Sequence, residues 1–144
     1  MQLSAKCRYG TRAMIEIARN EKNGPVKRKV IVQAQGISHA YLENILISLK
    51  MSKLIRTVRG ANGGFVLERR PSAINLFQIV LSLEGTVSPV ECLDNRTLCG
   101  KSDYCAERKV WAKLYDAQKS ALKGMTLQDL LDMDSTEAAT DYVI

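Results

Sequence analysis

Residues 27 to 51 constrain this chain's fold more than any other stretch. Val30, Ile31 and Ala34 place one apolar face on a short helix over about Lys27 to Gln35. Gly36 follows, where a glycine ends a helix by turning left-handed. Ser38 then stands as the cap of a third helix to about Met51, and Leu42, Ile45, Leu46 and Leu49 give it an i, i+3, i+4, i+7 stripe. A helix, a short turn with glycine and a second helix form a helix-turn-helix.

The period changes after this unit. LIRTV (54–58) and GFVLE (64–68) are short and apolar, with RGANG (59–63) between them. That pattern predicts a hairpin with a glycine-rich tip. Upstream, Ser4 caps a predicted first helix to about Asn20, with Gly10, Ala13, Met14, Ile17 and Ala18 at helical spacing. The expected fold is therefore mainly α with a small β-hairpin wing, a winged helix-turn-helix over residues 1–85. A further helix, about Asn75 to Leu83, packs under the wing in this scheme.

Residues 86–105 hold three of the four cysteines. A long helix is expected from there to Lys123, its apolar set Val110, Leu114, Ala117 and Ala121 widened by Trp111, Tyr115 and Leu122. So wide a stripe asks for a partner. Thr126 caps a short last helix to Met133, and residues 134–144 read as a loose tail.

Charge divides the chain the same way. Residues 1–70 hold 14 Lys or Arg against 4 Asp or Glu, a net +10; residues 71–144 hold 7 against 11, a net −4. A basic half suits a polyanion, although surface charge also varies this much by chance. No run is apolar and long enough to cross a membrane, and the start lacks the apolar centre of a secretory signal. The expected compartment is the cytoplasm, where thiols stay reduced.

A DNA-reading surface is then expected on the third helix, where Ser38, His39, Tyr41, Glu43 and Asn44 lie off the apolar stripe. Asn bonds adenine edges and Glu accepts from cytosine N4; singly, Glu43 reads equally well as a solvated residue. Lys27, Arg28 and Lys29 open the second helix and are placed for phosphates. Arg56, Arg59 and Gly60 belong to the wing, which is suited to a minor groove. No nucleophile–base pair, carboxylate dyad or phosphate loop is present, so no enzyme is expected.

Cys92, Cys99 and Cys105 are spaced C-x6-C-x5-C, which is neither a zinc-ribbon nor a thioredoxin pattern. Three thiolates suit a soft metal centre. Two other readings stand beside this one: surface thiols without a cofactor, and a structural zinc with a fourth ligand from elsewhere.

MQLSAKCRYGTRAM, GISHAYLENIL, TVRGANGGFVL and LEGTVSPVECL resemble the IscR/NsrR/CymR family of bacterial winged-helix transcription regulators, over about residues 1 to 133. The resemblance implies a homodimer on a near-palindromic operator, a long dimerisation helix within 106–133, and a sensor loop before it. It implies DNA contacts at Ser38, Tyr41, Glu43, Asn44 and Arg59. It also implies an iron–sulfur cluster on Cys92, Cys99 and Cys105, since CymR-like members lack these cysteines. 4Fe–4S fits slightly better than 2Fe–2S.

The match departs from the pattern at three points. Arg108 stands where IscR-like members place a ligating histidine, and the first cysteine gap is one residue longer. NsrR-like members take an oxygen ligand from the partner's first helix, where Arg8 stands here. Cys7 of the partner chain is the nearest substitute, although a core cysteine is an equal reading; Glu107 and Asp103 are other candidates. The expected function is a repressor sensing redox, nitric oxide or iron status. The alternatives are a CymR-like regulator governed by a protein or metabolite partner without a cluster, and a redox or electron-transfer protein.

Overall fold

The computed structural model describes residues 2–140, with side chains described through Ser135. The helices are α1 (Ala5–Asn20), α2 (Arg28–Gln35), α3 (His39–Met51), α4 (Leu76–Glu84), the one-turn α5 (Glu91–Asp94), α6 (Ala106–Lys123) and α7 (Leu127–Thr140). The strands are β1 (Ile55–Val58) and β2 (Gly64–Leu67), paired antiparallel with Ile55 opposite Leu67 and Val58 opposite Gly64. A mainly helical chain with one hairpin is the winged arrangement the periodicities predict.

The helix-turn-helix forms for the expected reasons. Gly36 turns left-handed at φ 61°, and its N–H bonds the Val32 carbonyl. Ser38 accepts from the Tyr41 N–H at 3.1 Å and so caps α3. Leu42, Ile45, Leu46 and Leu49 are all buried, as the stripe requires. On α2 the expected face is only partly right. Ile31 is buried, but Val30 and Ala34 are exposed, and Val32 packs on the core instead.

One core joins α1, α3, the hairpin and α4, with Met14, Ile17, Leu46, Leu49, Ile55 and Ile79 fully buried. α1 and α4 pack so closely at Gly10 that an added Cβ would lie 2.4 Å from a Leu83 methyl. The wing is pinned at two points of β2. Val26 exchanges backbone bonds with Phe65 at 2.9 and 2.8 Å, and Glu21 accepts from the Leu67 N–H at 3.1 Å.

The C-terminal region differs from expectation in two ways. α7 runs beyond Met133 to Thr140, so residues 134–140 are helix and not a loose tail; residues 141–144 lie outside the described residues. The α6–α7 turn is also stitched into the winged unit. Leu76 N–H bonds the Met125 carbonyl, Leu127 N–H bonds the Ile74 carbonyl, and Leu127 is fully buried.

Candidate nucleic-acid interface and cysteine loop

α3 turns its apolar side to the core and presents Ser38, His39 and Asn44 to solvent, with Tyr41 and Glu43 half-buried beside them. Tyr41 is steadied edge-on by Tyr9 of α1, ring centres 6.0 Å apart, and Arg12 stands 5.6 Å over the Tyr9 ring. Lys6 donates to the Ser48 hydroxyl at 2.8 Å, tying α1 to α3 again.

Lys27, Arg28 and Lys29 are exposed at the start of α2, with Lys27 at the N-cap position but making no side-chain cap bond. The Val26–Phe65 bridge sets this basic run directly against the wing. Arg56, Arg59 and Gly60 are exposed along the wing and its tip. The residues expected to meet DNA thus lie on three elements joined by backbone pairing and packing: α2, α3 and the hairpin.

The spacing gave no sign of a pair between α2 and α3. Arg28 binds Glu43 at 2.6 Å and also lies 5.8 Å over the Phe65 ring. Glu43 is therefore held by a cation in the free protein. Both side chains are 44% exposed, so solvent screens the pair and its contribution to stability is small.

The cysteine loop is more ordered than an open loop. Cys92 lies in α5, Cys99 follows a 3-10 turn over Arg96–Leu98, and Cys105 caps α6, its Sγ accepting from the Arg108 N–H at 3.4 Å. Ser102 is buried and donates to the carbonyls of Arg96 and Cys99, each at 2.8 Å. Arg96 pairs with Asp103 at 2.7 Å. Ser88 and Thr86 donate to Asp94, and these hydrogen bonds, Ser88's first, hold its carboxyl below the usual range.

Arg108 has a role that its place in the sequence did not disclose. Its Nε donates to the Cys92 carbonyl at 3.2 Å, so α5 is tied to the first turn of α6. At the position of the ligating histidine in the resembling regulators, this side chain is a tether between two cysteine-bearing segments.

Cys99 is exposed and Cys92 and Cys105 are half-buried. Among the described residues no three His, Cys, Asp or Glu side chains gather to hold a metal ion. The loop thiols fit a soft metal centre by donor chemistry, and the loop would have to close to bring them together. Glu107 is exposed in the first turn of α6, and Asp103 is engaged by Arg96. Cys7 is 1% exposed in the core beside Glu84, and burial, then that carboxylate, push its thiol up to about 11. This is the environment of an inert core cysteine, the other reading given above, and it works against ligation by Cys7.

Comparison with known proteins gives a consistent set. A family model described as Rrf2, an iron-dependent transcriptional regulator, matches residues 3–133. The chain is 39% identical over 130 residues to the transcriptional regulator CymR of Bacillus subtilis, covering 90% of this chain and 89% of that one. It is 32% identical over 132 residues to IscR of Yersinia enterocolitica, covering 92% and 80%. Among solved structures, the B. subtilis CymR, described as the global cysteine regulator, matches with TM-score 0.76 and 38% identity over 92% of this chain and 98% of that one. IscR of T. potens matches with TM-score 0.76 and 34% identity over 96% and 90%.

Proposed function

The chain belongs to the Rrf2 family of transcriptional regulators, and from that premise we propose that it is a homodimeric repressor whose operator binding is set by an iron–sulfur cluster on Cys92, Cys99 and Cys105. Its target is double-stranded DNA with a near-palindromic site, and it works in the cytoplasm. Ser38, His39, Tyr41, Asn44 and Glu43 address the major groove. Lys27, Arg28, Lys29, Arg56, Arg59 and Gly60 hold the backbone and the adjoining minor groove.

The cluster proposal is carried by one observation. All three thiols lie on the connection into α6, and two of their segments are bonded to the same residue, Arg108. When bound, the cluster supplies redox and nitric-oxide sensitivity. The chain's own part is mechanical. Drawing the thiols together moves α5, Arg108 carries that movement to the first turn of α6, and α6 sets the spacing of two recognition helices across the dimer.

Protein purified without oxygen is expected to carry iron and sulfide and to show a broad visible absorbance. Chelation should remove both and change operator affinity at least fivefold. Colourless protein that cannot be reconstituted would remove the cluster. A second reading, a regulator governed by a protein or small-molecule partner without a cluster, is favoured by the 39% identity to CymR. Operator binding that ignores iron and sulfide would select it.

A further inference from the structure

We infer that the outward ridge of α3, Ala40 and Ile47 on either side of Asn44, reads the 5-methyl groups of thymine in the major groove. The inference rests on the DNA-binding reading above and adds the base chemistry that the helix selects.

The observation is an apolar ridge where a soluble helix would carry polar groups. Ala40, Asn44, Ile47 and Met51 recur at i, i+4, i+7 and i+11, and all four are exposed, Ile47 by 46% and Met51 by 80%. At about 100° per residue, Ala40, Ile47 and Met51 fall within roughly 40° of one another. They point away from the buried line of Leu42, Leu46 and Leu49. This ridge is therefore the part of α3 that penetrates deepest into whatever the helix enters.

The surroundings identify that occupant. Beside the ridge Arg28 of α2 holds Glu43, with Lys27 and Lys29 exposed next to it in the chain, and Lys50 is exposed in the last turn of α3. Arg56 and Arg59 follow along the wing. A rim this basic suits a polyanion. An aliphatic ridge inside a basic rim needs a polyanion that also offers apolar contact. In the major groove only thymine does so, through its C5 methyl. Asn44 fits the same surface, because an amide bonds adenine N6 and N7, and adenine is thymine's partner. Ala40, Asn44 and Ile47 thus match a run of A·T pairs: a methyl contact, an adenine bond and a second methyl contact.

The test uses the full-length protein, with and without reconstitution by iron and sulfide, and duplexes it selects from a random pool of 30 base pairs. Each thymine of a selected half-site is replaced by deoxyuridine, which removes one methyl and leaves every hydrogen-bonding group. At one or two positions per half-site the substitution should weaken binding about fourfold, the fold-change for one buried methyl-sized group. Ile47→Ala should bind the thymine duplex more weakly and lose that sensitivity at one position. Its melting temperature should not change, since Ile47 is outside the core.

Affinities unmoved by deoxyuridine anywhere, or full sensitivity in Ile47→Ala, would overturn the inference while leaving DNA binding intact. An Ile47→Ala protein that turns monomeric would overturn it too, by making the ridge an interface between copies. Failure to select any duplex would bring down the DNA-binding reading itself.

Discussion

Helices α1 and α6 are of similar length and amphipathic, yet they meet opposite fates. α1, with 16 residues, buries Cys7, Gly10, Ala13, Met14 and Ile17. α6, with 18, buries none, and leaves Val110, Trp111 and Leu114 57%, 38% and 41% exposed. The inner side of α6 does touch the core through Tyr115 and Leu122, and Lys119 lies over the Phe77 and Tyr115 rings. Its apolar stripe is thus split: one edge is used by its own chain and the other is left open. The winged unit completes its core within one chain, whereas α6 presents what a second chain would cover.

Substitutions on the two helices' territories should separate these regimes, and the largest effect belongs to the closed one. Leu46→Ala removes a side chain 1% exposed at the centre of the winged core. It should cost about 2–5 kcal/mol of unfolding free energy, measured by urea titration. Leu114→Ala on α6 should behave in the reverse way. Its effect on unfolding of dilute, monomeric protein should stay below about 1 kcal/mol. The self-association constant, followed by sedimentation, should fall about tenfold or more. If Leu114→Ala destabilises the dilute chain as much as Leu46→Ala does, then α6 is an ordinary member of the core and the contrast disappears.

Where the sequence was legible, the signal was local and periodic. The α3 stripe, the Ser38 cap and the Gly36 turn each act within about one helical turn, so their residue types suffice to place them. The same holds for the hairpin, where two apolar runs flank a glycine-rich tip. The failures are mostly relations between distant segments or between two chemically equal options. Val30 and Ile31 are both β-branched neighbours on α2, and only the position of the core decides that Ile31 is buried and Val30 is not. The stretch 134–140 looked loose because it is small and polar, yet it contains neither Gly nor Pro to stop a helix. The Arg28–Glu43 pair joins two helices 15 positions apart, and the Arg108 bond to the Cys92 carbonyl spans 16 residues to a backbone atom, which no side-chain pattern reveals.

That bond is the hinge of the contrast, because it attaches the cysteine segment to the helix with the open edge. Arg108→Ala should free α5 from α6. Backbone amides of residues 92–99 should exchange about fivefold faster, the size of a single half-exposed hydrogen bond from a charged group. Amides of α1 should be unaffected. Arg108→Lys should not restore protection, since an ammonium lacks the planar Nε donor used here. Unchanged exchange in both variants would mean that the loop is held by Ser102 and the Arg96–Asp103 pair alone.

The smallest effect should come from the cysteines, and it compares the two regions through one functional group. Cys99 is exposed on the loop and should be alkylated at once in folded, cluster-free protein; Cys7, in the core, should react only when α1 opens. The pH response carries the same distinction. The Cys7 thiol has its pKa raised in the folded chain from 9.0 to about 11, by burial first and by Glu84 second. The folded state therefore holds this proton more tightly than the unfolded state does. Its contribution is fully present below pH 9 and is lost as pH rises toward 11, because the unfolded chain releases the proton first. By about pH 10 the loss should amount to roughly 1 kcal/mol. Cys7→Ala removes the group, so the stability gap between wild type and variant should narrow from pH 8 to pH 10. A constant gap would mean that Cys7 reaches solvent in the folded protein, and its candidacy as a ligand would reopen.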